Sequence, residues 1–149
     1  MYYVKALVLA LFAASAQAFT TSKASLVSRA RPSSTLEAVK DITNEGDFDA
    51  TVKGAGSSLV VVDYSTTWCG PCKVIAPKFE EFSEKYSDAI FLKVIGDASP
   101  AASKLMKREG VRSVPSFHYF VNGEKIDVVN GANAEAIEAA ITKHIHAAA

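Results

Sequence analysis

Cysteine is almost absent from this chain: Cys69 and Cys72 are the only two among 149 residues. That scarcity excludes a stapled scaffold. Any disulfide within one chain must join these two, and so short a loop constrains the unfolded chain very little. Histidine is nearly as scarce. His118, His144 and His146 are the only three, and none stands at finger spacing from the cysteine pair, so half of a tetrahedral zinc site is missing. Neither a metal nor an organic cofactor is expected. There are no repeats, no low-complexity runs and no basic patch with interleaved aromatics, which argues against a nucleic-acid partner. No apolar run reaches the ~20 residues needed to cross a bilayer, so no membrane association is expected of the mature protein. An inert buried pair and dithiol–disulfide redox chemistry are left for the two cysteines, and their Cys-x-x-Cys spacing favours the second.

Acidic residues are missing altogether from the first 35 positions, which hold Lys5, Lys23, Arg29 and Arg31. Lys5, the apolar stretch from Ala6 to Ala14 and the small-x-small pattern Ser15-Ala16-Gln17-Ala18 read as a secretory signal peptide over residues 1–18. Residues 19–35 are rich in Ser, Thr and Arg, the composition of an organellar transit segment. A signal peptide followed by such a segment, with Phe19 at the junction, resembles the bipartite presequence of algae with secondary plastids. That resemblance implies the plastid stroma. The alternative is the secretory pathway, should the signal peptide be the whole address. Residues 36–149 carry the remaining 12 basic and 16 acidic side chains and suffice for one domain.

Within that domain strand and helix patterns alternate. Residues 36–42 form a weak first strand, and a short helix over 48–53 is opened by Asn44 or Asp47. The β-branched run Leu59 to Tyr64 has the character of a buried central strand. A long helix follows from Cys69 to Tyr86, with Ile75, Phe79, Phe82 and Tyr86 on one face. Pro77 lies inside it and predicts a kink. Residues 90–95 make another strand and 101–109 a helix ended by Gly110. Strands over 116–121 and 125–129 flank Asn122-Gly123, a strong hairpin signal. A helix over 134–145 closes the chain. This order predicts an α/β domain, a mixed central sheet with helices on both faces.

The cysteine pair falls where a central strand gives way to the long helix. Unpaired N–H groups and the positive end of the helix dipole favour a thiolate on Cys69 there. Pro71 suits the first turn because its missing donor costs nothing, and Lys73 adds a cation. Cys72, one turn further in, is expected to be shielded and to resolve a mixed disulfide. Asp63, six residues before Cys69, is placed to be a partly buried carboxyl that takes a proton from Cys72; an exposed strand-end Asp is the alternative.

The stretch Val61 to Pro77, with Trp68-Cys69-Gly70-Pro71-Cys72 at its centre, resembles the thioredoxins, and the likeness spans about residues 38–146. It implies the thioredoxin fold and a protein-disulfide reductase in which Cys69 attacks and Cys72 resolves. By the same resemblance Trp68, Gly70 and Pro71 frame the site. Lys93 neighbours the buried Asp63, Val114 precedes a cis Pro115, and Gly131 lines the substrate groove. The segments 73–79, 83–86 and 91–93 look most like the plastid f-type. That implies a ferredoxin-dependent thioredoxin reductase as electron donor, disulfide-containing targets such as fructose bisphosphatase, and a monomer. Ser65 stands where many bacterial members carry Trp. Gly96 stands where land-plant f-types carry a third, regulatory cysteine, so regulation through that thiol is not expected here. The rival readings are a secretory oxidase or isomerase, against which Gly70-Pro71 argues, and a non-catalytic binding module.

Other conspicuous residues read as structure. Met106, Phe79, Phe82, Phe117 and Tyr119 have core spacing, and His118 faces the opposite side of its strand from its neighbours. His144 and His146 are expected to lie in a fraying terminus. Lys104, Lys107, Arg108 and Arg112 read as a solvated helix face, with a docking patch for acidic targets as the alternative.

Overall fold

The computed structural model describes residues 38–146; the presequence readings, with Phe19, lie outside the described residues. Nine elements follow in order: β1 (Val39–Asp41), α1 (Glu45–Gly54), β2 (Val60–Ser65), α2 (Gly70–Lys85), β3 (Ile90–Ile95), α3 (Pro100–Arg108), β4 (Ser116–Val121), β5 (Glu124–Asn130) and α4 (Ala134–Ile145). The strands form one sheet in the order β1-β3-β2-β4-β5. β1, β3 and β2 run parallel, and β4 and β5 are antiparallel to their neighbours. This is the mixed sheet that the element order predicts.

Local chemistry sets the ends of the elements. Asn44 caps α1 by accepting the Asp47 N–H at 2.9 Å, so of the two residues expected to open this helix Asn44 does so. Ser99 and Asn133 cap α3 and α4 in the same way. Asn122 and Gly123 both have positive φ, 54° and 80°, the conformation that a two-residue hairpin matched to strand twist requires. β1 falls within the stretch that the sequence pattern marks as a strand. Among the described residues it covers three, paired with Phe91–Lys93 of β3, and the first two residues of the expected strand lie outside the described residues. α2 is continuous over 16 residues with Pro77 inside it.

Alternation along the strands divides the core in two. Val61, Phe91, Phe117 and Tyr119 meet Ile75, Phe79 and Phe82 of α2 and Ile137 and Ile141 of α4 on one face. Val60, Val62, Tyr64, Leu92 and Phe120 meet Phe48 and Val52 of α1 and Leu105 of α3 on the other. Phe79, against Phe91 and Phe117, anchors the first; truncating such a residue to Ala costs about 3–5 kcal/mol. This packing fixes α2 against β2, and with it the position of the cysteine pair.

One side chain is placed otherwise than its local sequence suggests, and two cations on the exposed face of α3 are taken up in ion pairs. His144 is not in a fraying end: it is buried and its Nε2 lies 2.7 Å from Asp127. Lys104 pairs with Glu45, and Arg108 with Asp49 and Glu109. Four free cations for an acidic partner are therefore not available on that face.

Candidate active site

β2 ends at Ser65, and a four-residue loop leads to α2. Cys69 is the N-cap of that helix, and its Sγ accepts the Cys72 N–H at 3.2 Å. A sulfur in this position takes the place of the side-chain oxygen of an ordinary cap, and the orphan donors of the first turn point at it. Cys69 and Cys72 are joined in a disulfide. Both are buried, at 3% and 4% exposure, so shielding does not distinguish Cys72 as the sequence pattern suggests. Their surroundings do. Cys69 caps the helix, whereas Cys72 lines a cavity of about 160 Å³ together with Asp63, Lys73 and Lys93.

Asp63 is 1% exposed, and its Oδ1 has no hydrogen-bond partner among the described residues. It shares its side of the sheet with Val61, the side on which α2 packs. Removal from water pushes its pKa up to about 7, against which the charge of Lys93 acts in the lowering direction. Lys93 lies directly across from it on β3. The structure thus brings Asp63, Cys72 and Lys93 into one cavity, and the exposed strand-end alternative for Asp63 is excluded.

Trp68, next to Cys69 in the chain, and Val74 in the early turns of α2 are large apolar side chains left 73% and 76% exposed. The Val114–Pro115 bond is cis. The Pro115 carbonyl accepts the Gly131 N–H at 2.9 Å, and Gly131 has φ 91°. Because Ser116 opposes Tyr64 across the antiparallel β2–β4 pair, Pro115 and Gly131 stand at the same end of the sheet as the disulfide loop. Gly70 and Pro71 form the first turn of α2.

The loop before the disulfide has a tether that the sequence does not announce. The Thr67 N–H and hydroxyl both donate to the Asp97 carboxylate, at 2.9 and 2.5 Å. These bonds hold the Asp97 carboxyl below its usual range. Next to it, Gly96 is buried, and a side chain there would run into Met106. Gly96 is thus covered by a methionine from α3.

This arrangement is shared with proteins of known name. The thioredoxin family model matches residues 39–143. Thioredoxin-1 of Schizosaccharomyces pombe is 46% identical over 107 residues, 72% of this chain and 99% of that protein. The crystal structure of thioredoxin f from spinach chloroplast (short form) superimposes with a TM-score of 0.67 at 38% identity, covering 71% of this chain and 92% of that one. A chain from the crystal structure of a ferredoxin:thioredoxin reductase and thioredoxin f2 complex gives 0.66 at 41%, covering 70% and 93%. A disulfide pair at the start of a helix, one sulfur capping it and the other sharing a cavity with a buried carboxyl, set in this fold and matched over this length, makes the chain a thiol–disulfide oxidoreductase and a member of the thioredoxin family.

Proposed function

We propose that this chain reduces disulfides of plastid enzymes and thereby switches them. The carrying observation is the cavity that Cys72 shares with a carboxyl of raised proton affinity whose Oδ1 has no hydrogen-bonded partner among the described residues. In the reduced protein the Cys69 thiolate, favoured by the donors of the first turn, attacks one sulfur of the target disulfide. A mixed disulfide forms and the target's other sulfur leaves as a thiolate that takes up a proton. Asp63, ionised, accepts the proton of the Cys72 thiol. The Cys72 thiolate then attacks Cys69 Sγ, releasing the second target thiol and closing the Cys69–Cys72 disulfide. Two electrons have passed to the target. The edge at Val114, Pro115 and Gly131, with Trp68, receives the target's backbone.

The plastid setting rests on the presequence reading, residues 1–18 as signal peptide and 19–35 as transit segment ahead of the domain, and on likeness to thioredoxin f. One of the similar structures is a complex with ferredoxin:thioredoxin reductase. It supports a ferredoxin-dependent reductase as the donor that returns the disulfide to dithiol. Fructose bisphosphatase is the natural first target to assay, and the chain acts as a monomer. Identity alone does not select the f-type, since the yeast thioredoxin-1 stands at 46% and the spinach f protein at 38%.

Cys72→Ser should capture targets as long-lived mixed disulfides, while Cys69→Ser captures none. Equal capture by both would reverse or abolish the assignment of roles. A fluorescent fusion to residues 1–40 should enter the plastid, and Phe19→Ala should strand it in the outer compartments. Secretion of the unmutated fusion would favour the secretory pathway instead.

A further inference from the structure

Asp41 is not part of the site described so far, yet the sheet places it in line with the proton acceptor. In the parallel register β1-β3-β2, Asp41 lies opposite Lys93, and Lys93 lies opposite Asp63. Neighbouring strands are about 4.8 Å apart, and opposed residues share a face of the pleat. One lysine therefore stands between two carboxylates, an exposed one on the edge strand and a buried one at the centre. The surrounding space repeats the arrangement. Lys93 lines the cavity of about 160 Å³ that holds Asp63 and Cys72, and also a second cavity of about 230 Å³ that holds Asp41, Thr43 and Ser99. It closes an ion pair with neither carboxylate among the described residues. Its flexible four-carbon stem allows the ammonium to turn either way.

We propose that Asp41 is a positioning residue, which draws the Lys93 ammonium toward the sheet edge and so limits how much positive charge reaches Asp63. The consequence is chemical. An ammonium seated fully on Asp63 would stabilise its carboxylate and make it a poorer acceptor for a thiol proton. With the charge shared, Asp63 keeps the proton affinity that the resolving step uses. No other element in contact offers the same control. The charged residues lining the Asp63 cavity besides Asp63 itself are Lys73 from α2 and Lys93 from β3, and β4 presents Phe117. This inference rests on Asp63 as proton acceptor for its functional meaning, but the charge sharing can be measured without any assay of activity.

The test follows the titration of the Asp63 carboxyl by carbon-13 NMR in the full reduced protein. Asp41→Asn should lower the Asp63 midpoint by about 0.5–1 pH unit, and Asp41→Glu should restore the parent value. In a Lys93→Met background, with Lys93→Gln as the second choice should the first not fold, Asp41→Asn should move the midpoint by less than about a quarter of the parent effect. The acid limb of the pH profile for protein-disulfide reduction should shift with the midpoint. No shift on Asp41→Asn would overturn the proposal. So would an equal shift with and without Lys93, since that would be a direct field from Asp41. Should Asp63→Asn leave the pH profile of reduction unaltered while the NMR shifts appear as stated, the charge sharing stands and Asp63 as proton acceptor falls.

Discussion

Asp63 and His118 are buried on opposite faces of the sheet, and only Asp63 shares its space with a cysteine. Asp63 on β2 faces α2, and His118 on β4 faces the opposite side, where Tyr64 and Phe120 lie. Both are almost wholly buried, at 1% and 3% exposure, and each has a polar atom without a partner among the described residues, Asp63 Oδ1 and His118 Nδ1. In both, desolvation favours the neutral form. It raises the Asp63 pKa to about 7 and lowers that of His118 to about 4, with the charge of Lys125 assisting at the histidine. The surroundings differ. Asp63 opens on a cavity with a cysteine and a lysine, whereas the His118 ring lies 4.7 Å from the Tyr64 ring and 6.5 Å from that of Phe120. A perturbed proton affinity is therefore not by itself a mark of function. What sets Asp63 apart is a cysteine that shares its cavity.

The two groups also pull stability in opposite directions with pH. Folded Asp63 holds its proton up to about pH 7, against an ordinary value of 3.8. The folded state then binds more protons than the unfolded one, so its contribution is most favourable below about pH 4 and declines as pH rises to 7. Folded His118 resists protonation down to about pH 4, against an ordinary value of 6.5. Here the unfolded state binds more protons, so stability is lost as pH falls through that window. Between about pH 4 and 6.5 the two contributions oppose each other, and the parent protein should be flatter with pH than either single variant.

The largest expected effect follows from removing the charge on the working face. Asp63→Asn should stabilise the protein by roughly 4 kcal/mol above pH 7 and by almost nothing below pH 4. It should also slow reduction of a protein disulfide by about 10- to 100-fold near neutral pH. Denaturant unfolding at several pH values and a turnover assay read both. A stability gain without a loss of rate would remove Asp63 from the chemistry and make it the equal of His118.

His118→Phe sharpens the comparison from the other side. Near pH 7 it should change the rate of disulfide reduction by less than about twofold, because no reacting group shares the histidine's surroundings. Its signature should be in acid. The parent loses roughly 3 kcal/mol between pH 6.5 and 4 through this group, and the variant should not. A large loss of rate in the variant would show that the two faces communicate and would end the distinction drawn between them.

The sequence reveals features whose cause is local. Asp63 ends an unbroken β-branched run, so its burial beside the redox helix can be read from spacing, and Asn122-Gly123 carries its turn in the two residues themselves. Features that depend on register or on packing between distant segments cannot be read that way. Asp97 and Thr67 are 30 residues apart, and His144 and Asp127 are 17. Nothing adjacent to Asp97 or His144 signals its partner. The row Asp41–Lys93–Asp63 requires both the strand order β1-β3-β2 and its register. Neither follows from the individual strand patterns. Met106 reads as a core residue, but that it covers Gly96 emerges only when α3 is docked.

Tyr64 provides the smallest and most discriminating test of the contrast. It belongs to the same strand as Asp63 but points to the His118 side, and its buried hydroxyl has no partner among the described residues. Burial raises its pKa far above the ordinary phenol value, so it stays neutral from pH 5 to 9 and contributes no pH dependence there. An unmade hydrogen bond nevertheless costs free energy, because the hydroxyl has left water and gained nothing in return. Tyr64→Phe keeps the ring and its contact with His118 while removing that cost. The variant should be more stable by about 1 kcal/mol, equally so at pH 5 and pH 9, with an unchanged rate of disulfide reduction. The three variants would then separate three kinds of burial: a titrating group beside a thiol, a titrating group among rings, and a polar group that does not titrate. Destabilisation by Tyr64→Phe would instead reveal a hydrogen-bonded partner for the hydroxyl on that face, and would make the His118 side of the sheet polar rather than inert.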